Sequence, residues 1–240
     1  MIRHVRKKVK SGINRAWAKL ALMSVELIII LMAFFLSLFV FVFIARMIFW
    51  KKKDTFDTKA SAFFSGLVSD LHTNIMEFFS FLGAHTFLIP ANLLLIIYFL
   101  FIRKHKWYSI KVPVISVGSL IIMSLLKQIF SRQRPLIPLM EEAKGLSFPS
   151  GHAMMSMAFY GLIIYIIWHE VKRPWLRSII VIALLLIILF IGISRIYLNV
   201  HFASDVAAGF SLGLVWLVVS IFFLNKMERI SRKEIDLVVE

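Results

Sequence analysis

Six apolar runs divide the chain, each close to the length that crosses a bilayer. They are Leu27 to Ala45, running on toward Trp50; Thr86 to Ile102; Trp107 to Leu126; Ala153 to Trp168; Ser178 to Ser194; and Val206 to Asn225. About 20 mostly apolar residues span the hydrocarbon core as a helix. Backbone inside lipid must satisfy its own hydrogen bonds, so only helices or closed barrels cross it. Runs of this length without strict alternation predict helices. The expected fold is an all-α integral membrane protein of six transmembrane helices, a single domain over residues 1–240. Hydrophobic residues make up 60% of the chain, above the roughly 45–50% of a soluble domain, and lipid accommodates the excess. The first run holds 19 residues without a charge. That is too long for the core of a secretory signal, and no small-residue cleavage site follows, so it reads as a retained span.

Charge orients the bundle. Arg3, Arg6, Lys7, Lys8, Lys10, Arg15 and Lys19 precede the first run, and Arg103, Lys104 and Lys106 follow the second. Lys172, Arg173 and Arg177 follow the fourth, and Lys226, Arg229, Arg232 and Lys233 follow the sixth. With six spans all four groups share one side, which the positive-inside rule makes cytoplasmic. Residues 1–24 are then a basic cytoplasmic N-terminus and 226–240 a charged cytoplasmic tail. Lys51, Lys52 and Lys53 oppose this assignment but are outnumbered. The net charge of +15 thus sits at span ends, a membrane pattern rather than a nucleic-acid one. Cysteine is absent, which excludes disulfides and thiolate chemistry. Between the first two spans, Asp57 to Leu82 has apolar residues at helical spacing, with Asp70 and Glu77 off that face. It predicts an amphipathic helix lying in the outer interface. Trp50, Trp107, Tyr108, Trp168 and Trp175 lie near span ends, as an aromatic belt does.

Span parity sends three polar clusters to the outer side. The third span ends in KQIFSRQRP (127–135), SFPSGH (147–152) opens the fourth, and SRIYLNVHFASD (194–205) joins the fifth to the sixth. Ionisable groups at membrane depth are unfavourable, so their default reading is functional. Lys127 and Arg134 are seven apart and share a face if the helix continues. Arg195 adds a second guanidinium, and arginine forks match phosphate oxygens. Ser150 and Gly151 precede a helix start, where free backbone N–H groups receive anions. His201 and Asp205, four apart at the start of the last helix, predict an imidazole oriented by a carboxylate, and His152 supplies a second imidazole. Two histidines in a cationic pocket suit phosphoryl transfer, one attacking phosphorus and one protonating the leaving oxygen. No carboxylate cluster suited to Mg²⁺ occurs here. Arg132 reads as a solvated or headgroup-contacting side chain, and Glu141, Glu142 and Lys144 as solvated loop residues.

The three motifs, K-x6-R-P, P-S-G-H and S-R-x5-H-x3-D, occur intact and in order between Lys127 and Asp205. Together they resemble the type 2 phosphatidic acid phosphatase family of membrane lipid phosphatases, which share a helical core with vanadium haloperoxidases; the bacterial phosphatidylglycerophosphatase B branch is the part most resembled. The resemblance implies that His201 is the nucleophile, forming a phosphohistidine, that Asp205 orients it and that His152 is the general acid. It implies that Lys127, Arg134, Arg195, Ser150 and the Gly151 backbone hold the phosphate, with Pro135 and Pro149 shaping the loops, and that no metal or other cofactor is needed. The implied function is metal-independent hydrolysis of a phosphomonoester or pyrophosphate lipid at the outer face of a bacterial cytoplasmic membrane. Undecaprenyl pyrophosphate comes first among the expected substrates, then phosphatidylglycerol phosphate, with phosphatidic acid also a candidate. The expected partners are that lipid and the bilayer, not nucleic acid; oligomeric state is left open. A phosphorylated-lipid transporter or flippase is the alternative, but binding alone has no use for an oriented imidazole. A lipid phosphotransferase, passing the same phosphate to another acceptor, is a further alternative with the same residues.

Overall fold

The computed structural model describes residues 25, 27–52, 54–139 and 145–239, with side chains followed as far as Arg232. The basic segment 1–24 and loop residues 140–144 lie outside the described residues, so the expectations for them are not addressed. Among the described residues, six helices are long and apolar enough to cross a membrane: α1 (Leu27–Trp50), α4 (His85–Ile102), α5 (Lys106–Phe130), α6 (Gly151–Glu170), α7 (Pro174–Tyr197) and α8 (Ala203–Arg232). The last continues to Val239. The described residues up to Leu36 belong to a unit of their own, and 27–36 form an apolar helical stretch with most side chains exposed.

The helices overrun the apolar runs because caps, not the last apolar side chain, end a helix. Ser150 caps α6 by accepting from the Ala153 N–H at 3.5 Å. Pro174, with its φ preset, opens α7. Ser131, in the left-handed region at φ 46°, stops α5.

The segment expected as one interfacial helix is two, α2 (Thr55–Ser65) and α3 (Asp70–Gly83). Gly66 closes α2, and the Ser69 hydroxyl accepts from the His72 N–H at 3.4 Å to start α3 anew. Phe56, Phe63, Leu71 and Phe78 are exposed, as an interfacial surface requires. The polar side of α2 is different: Asp57 is buried.

Helix α6 is the centre of the bundle, packed against α8, α7 and α5. Its contact with α8 rests on glycine. A Cβ at Gly209 would stand 2.6 Å from the Ser150 carbonyl oxygen, and one at Gly213 would stand 2.7 Å from that of Met154. Small residues four apart let membrane helices approach backbone to backbone. Gly209→Ala is therefore expected to push α8 off the start of α6, destabilising by about 1–3 kcal/mol. A thermal melt in detergent, run beside the native chain, measures this; an unchanged Tm would contradict the packing.

The bundle end away from the P-S-G-H loop has its own polar contact. Lys111, which interrupts the third apolar run, is buried and donates to Glu228 at 2.9 Å, joining α5 to α8. Its ammonium lies 5.1 Å from the Tyr108 ring centroid. Tyr108, expected in the aromatic belt, is instead buried there. A charge at this depth is tolerated because a carboxylate and aromatic faces replace its water. Glu228→Gln strands the ammonium and is expected to lower stability by about 3 kcal/mol, read as a fall in Tm.

Candidate active site

Four helix ends meet at one end of the bundle: the last turns of α5 and α7 and the first turns of α6 and α8. Lys127 comes from α5, His152 from α6, Arg195 from α7 and Asp205 from α8. Arg134 and His201 come from the loops beside them. The loop carrying P-S-G-H is pinned by Phe148, fully buried against Phe41, Phe49 and Phe130. The Phe148–Pro149 peptide is cis.

Lys127 and Arg134 do not share a helical face, because α5 stops at Phe130. They are brought together by the turn at Ser131 instead. Arg134 donates to the Val200 carbonyl at 2.8 Å and lies 3.3 Å from His201 Nε2. Lys127 donates to the Leu146 carbonyl, and Arg134, Asp205 and Arg195 are its charged neighbours. Arg195 is buried, donates through Nη1 to the Ser80 hydroxyl of α3, and has no partner at its buried Nε among the described residues. The ionisable neighbours of His152 include Arg195, His201 and Arg134, so it faces the same group.

His201 and Asp205 are close, but not as neighbouring turns of one helix. Helix α8 begins only at Ala203, and His201 Nδ1 is 3.6 Å from Asp205 Oδ2, beyond hydrogen-bond length. Ser147, fully buried, stands between them: its hydroxyl donates to Asp205 Oδ2 and lies 3.3 Å from His201 Nδ1. This arrangement assigns the tautomer. The single hydroxyl proton goes to the carboxylate, which has none to give, so Nδ1 must carry the hydrogen that Ser147 accepts. The Nε2 lone pair then faces Arg134. Burial is the main influence on the His201 ring, lowering its pKa to about 4 although Asp205 pulls the other way. Burial likewise lowers the Arg134 pKa, with Asp205 opposing.

Arg132, expected to be solvated, is instead inside the site. Its guanidinium donates to Asp205 Oδ1 at 2.6 Å, to the Ser204 hydroxyl at 2.8 Å and to Asp57 Oδ2 at 2.7 Å, and lies 4.0 Å from the Phe202 ring centroid. Asp205, fully buried, also accepts from the Phe202 N–H at 2.9 Å. Ser150 is buried too. Its hydroxyl faces the Ala153 N–H and its own N–H donates to the Asp205 carbonyl at 3.0 Å, so the residue braces α6 against α8. Gly151 opens α6 beside it, partly exposed.

Sequence reasoning missed Ser147, Arg132, Asp57, Ser204 and Ser80. Ser147 lies two residues before P-S-G-H, and Arg132 and Ser204 lie at unassigned positions inside the first and third motifs; Asp57 and Ser80 had no local signal. Taken together, four cations (Lys127, Arg132, Arg134, Arg195) surround two carboxylates (Asp57, Asp205). With His201 neutral, the four cations exceed the two carboxylates by two positive charges among these described groups. A bound dianion would complete the site.

A helical membrane bundle with cations and two histidines at one end defines a phosphate-handling membrane protein. The PAP2 superfamily model matches residues 108–229, and the chain belongs to that superfamily. It is 33% identical over 163 residues to phosphatidylglycerophosphatase B of Bacillus subtilis, covering 66% of this chain and 78% of that one. Its fold is similar to the crystal structure of the transmembrane PAP2-type phosphatidylglycerolphosphate phosphatase from Bacillus subtilis, with a TM-score of 0.72 and 29% identity over 79% of this chain and 94% of that one. A fainter likeness is to Aquifex aeolicus LpxE, with a TM-score of 0.48 and 24% identity over 68% of this chain and 93% of that one.

Proposed function

We propose that this chain, a PAP2 membrane lipid phosphatase, hydrolyses a phosphomonoester or pyrophosphate lipid at the outer face of a bacterial cytoplasmic membrane through a phosphohistidine at His201. The observation that carries this is the His201 Nε2 lone pair, held by Ser147 and Asp205 and facing a cationic cluster short of two negative charges. Nε2 attacks phosphorus while the P–O bond to the leaving group breaks, and His152, protonated once the phosphate dianion is bound, gives that oxygen its proton. The charge arising on the ring is met at Nδ1–H by Ser147 and Asp205. His152 next takes a proton from water, whose oxygen attacks phosphorus; the P–N bond breaks and inorganic phosphate leaves. Lys127, Arg134, Arg195 and the Gly151 N–H would hold the phosphate oxygens throughout. Ser150 supports the pocket through its backbone.

Substrate and sidedness rest on two further points. Relatives named for phosphatidylglycerophosphate favour that lipid for this chain as well, beside undecaprenyl pyrophosphate. Arg103, Lys104, Lys106, Lys172, Arg173 and Arg177 lie at the opposite bundle end from His201, which favours a cytoplasmic location for them and an outer one for the site. The test is phosphate release by purified protein from undecaprenyl pyrophosphate, phosphatidylglycerol phosphate and phosphatidic acid, with EDTA present. Release that survives EDTA is expected, and the kcat/KM values rank the lipids. Silence on all three would favour lipid binding and transport.

The neutral ring has its own check. Burial disfavours the imidazolium, so the pKa falls and the neutral form persists to lower pH. In ¹⁵N-histidine NMR, with His201→Gln identifying the signal, His201 is expected to remain neutral at pH 6 and to titrate near 4. Titration near the ordinary value of about 6.5 would contradict this.

A further inference from the structure

Asp57 is 75 residues from Arg132 and 147 from Ser204, yet all three meet. Its Oδ1 accepts from the Ser204 N–H at 2.8 Å, and its Oδ2 from the Ser204 hydroxyl at 2.6 Å and the Arg132 guanidinium at 2.7 Å. Ser204 is in the first turn of α8, where N–H groups lack helical partners and a negative charge is stabilising. A carboxylate from α2 thus caps the helix that carries Asp205. It also divides Arg132 between two acids. Without Asp57, the Arg132 charge falls wholly on Asp205, the carboxylate that Ser147 and His201 use.

The geometry points to Asp57 as a positioning residue for phosphoryl transfer. It acts through Arg132 and Ser204 to hold Asp205, and through Asp205 and Ser147 to fix the His201 tautomer and ring direction. Asp57 itself does not touch substrate. The inference rests on the phosphatase reading above, and it makes α2 part of the enzyme's working parts rather than a surface float. Supporting partners behind metal-bound histidines typically contribute about 10–100-fold, and an effect of the same order is expected of Asp57 behind a reacting histidine.

The experiment measures kcat and KM per folded molecule on a short-chain phosphatidylglycerol phosphate, for the native chain, Asp57→Asn, Arg132→Gln and the double variant. Thr58→Ala, an exposed change on the same turn, is the control. Asp57→Asn is expected to lower kcat about 30-fold with KM within about twofold, because Lys127, Arg134 and Arg195 remain. The double variant should be no worse than the poorer single one. A purely structural Asp57 would lower Tm while leaving kcat per folded molecule unchanged, and that result overturns the inference. Should Asp57→Asn not fold, Ser204→Ala removes the hydroxyl link alone and should give a kcat loss of about threefold at constant KM; native kcat there overturns it. If the native chain turns over no lipid, the phosphatase reading fails, and orthovanadate binding by calorimetry decides this inference separately. Affinity about tenfold weaker in Asp57→Asn supports it; equal affinity, or no binding to either protein, overturns it.

Discussion

His201→Ala is expected to reduce lipid phosphate release by about 10⁴-fold or more, because under the proposed mechanism it removes the atom that bonds to phosphorus. The structure makes this sharper than a generic loss of activity. Nε2 faces Arg134 at 3.3 Å, while Nδ1 is turned to Ser147. Only one ring nitrogen is therefore placed to attack. Rapid quenching of the native enzyme with ³²P-labelled substrate should give a protein-bound label stable to base and labile to acid, as a phosphoramidate is. His201→Ala should give none. Label retained in that variant would move the nucleophile elsewhere. The cationic pocket survives the substitution, so KM for residual activity, or affinity for inorganic phosphate, should change far less than kcat.

The second large effect is expected at His152. Helix α6 begins at Gly151, so His152 projects from its first turn, near the charges of Arg195 and Arg134 and beside the neutral His201 ring. A general acid contributes about 10²–10⁴-fold when the leaving oxygen is a poor one. His152→Ala should therefore cut turnover of a phosphatidylglycerol phosphate by about 10³-fold. On p-nitrophenyl phosphate, whose leaving group needs no proton, the loss should shrink to about tenfold. An equal loss on both substrates would make His152 a phosphate ligand instead.

The parts of this site that could be read from the sequence share one physical property. Lys127, His152, Arg195 and Asp205 interrupt or border apolar runs, where ionisable groups stand out, and span parity alone sends them to one side. The six helices were legible for the same reason. What escaped depends on contacts across the chain. Asp57 in the first turn of an amphipathic helix looks like any acid favoured there, and nothing local links it to Arg132. Lys111 looked like a flaw in a span until Glu228 met it from α8, 117 residues away. Ser131 stops α5 in a left-handed conformation with neither glycine nor proline to announce it. That stop changes how Lys127 and Arg134 converge, though not that they do. Ser147 shows a subtler limit, since i, i+4 spacing suggested a direct His201–Asp205 bond and the intervening hydroxyl is set by loop geometry.

The PAP2 match begins at residue 108, after Asp57 and Ser80. The stretch holding all three motifs is thus not electrically self-contained. Excised or grafted onto another scaffold, residues 108–229 would carry an Arg132 missing one of its two carboxylates and an Arg195 missing its hydroxyl. The upstream helices are better regarded as the counter-ion supply of the motif block, and any minimal or chimeric version of this protein would have to bring α2 and α3 along.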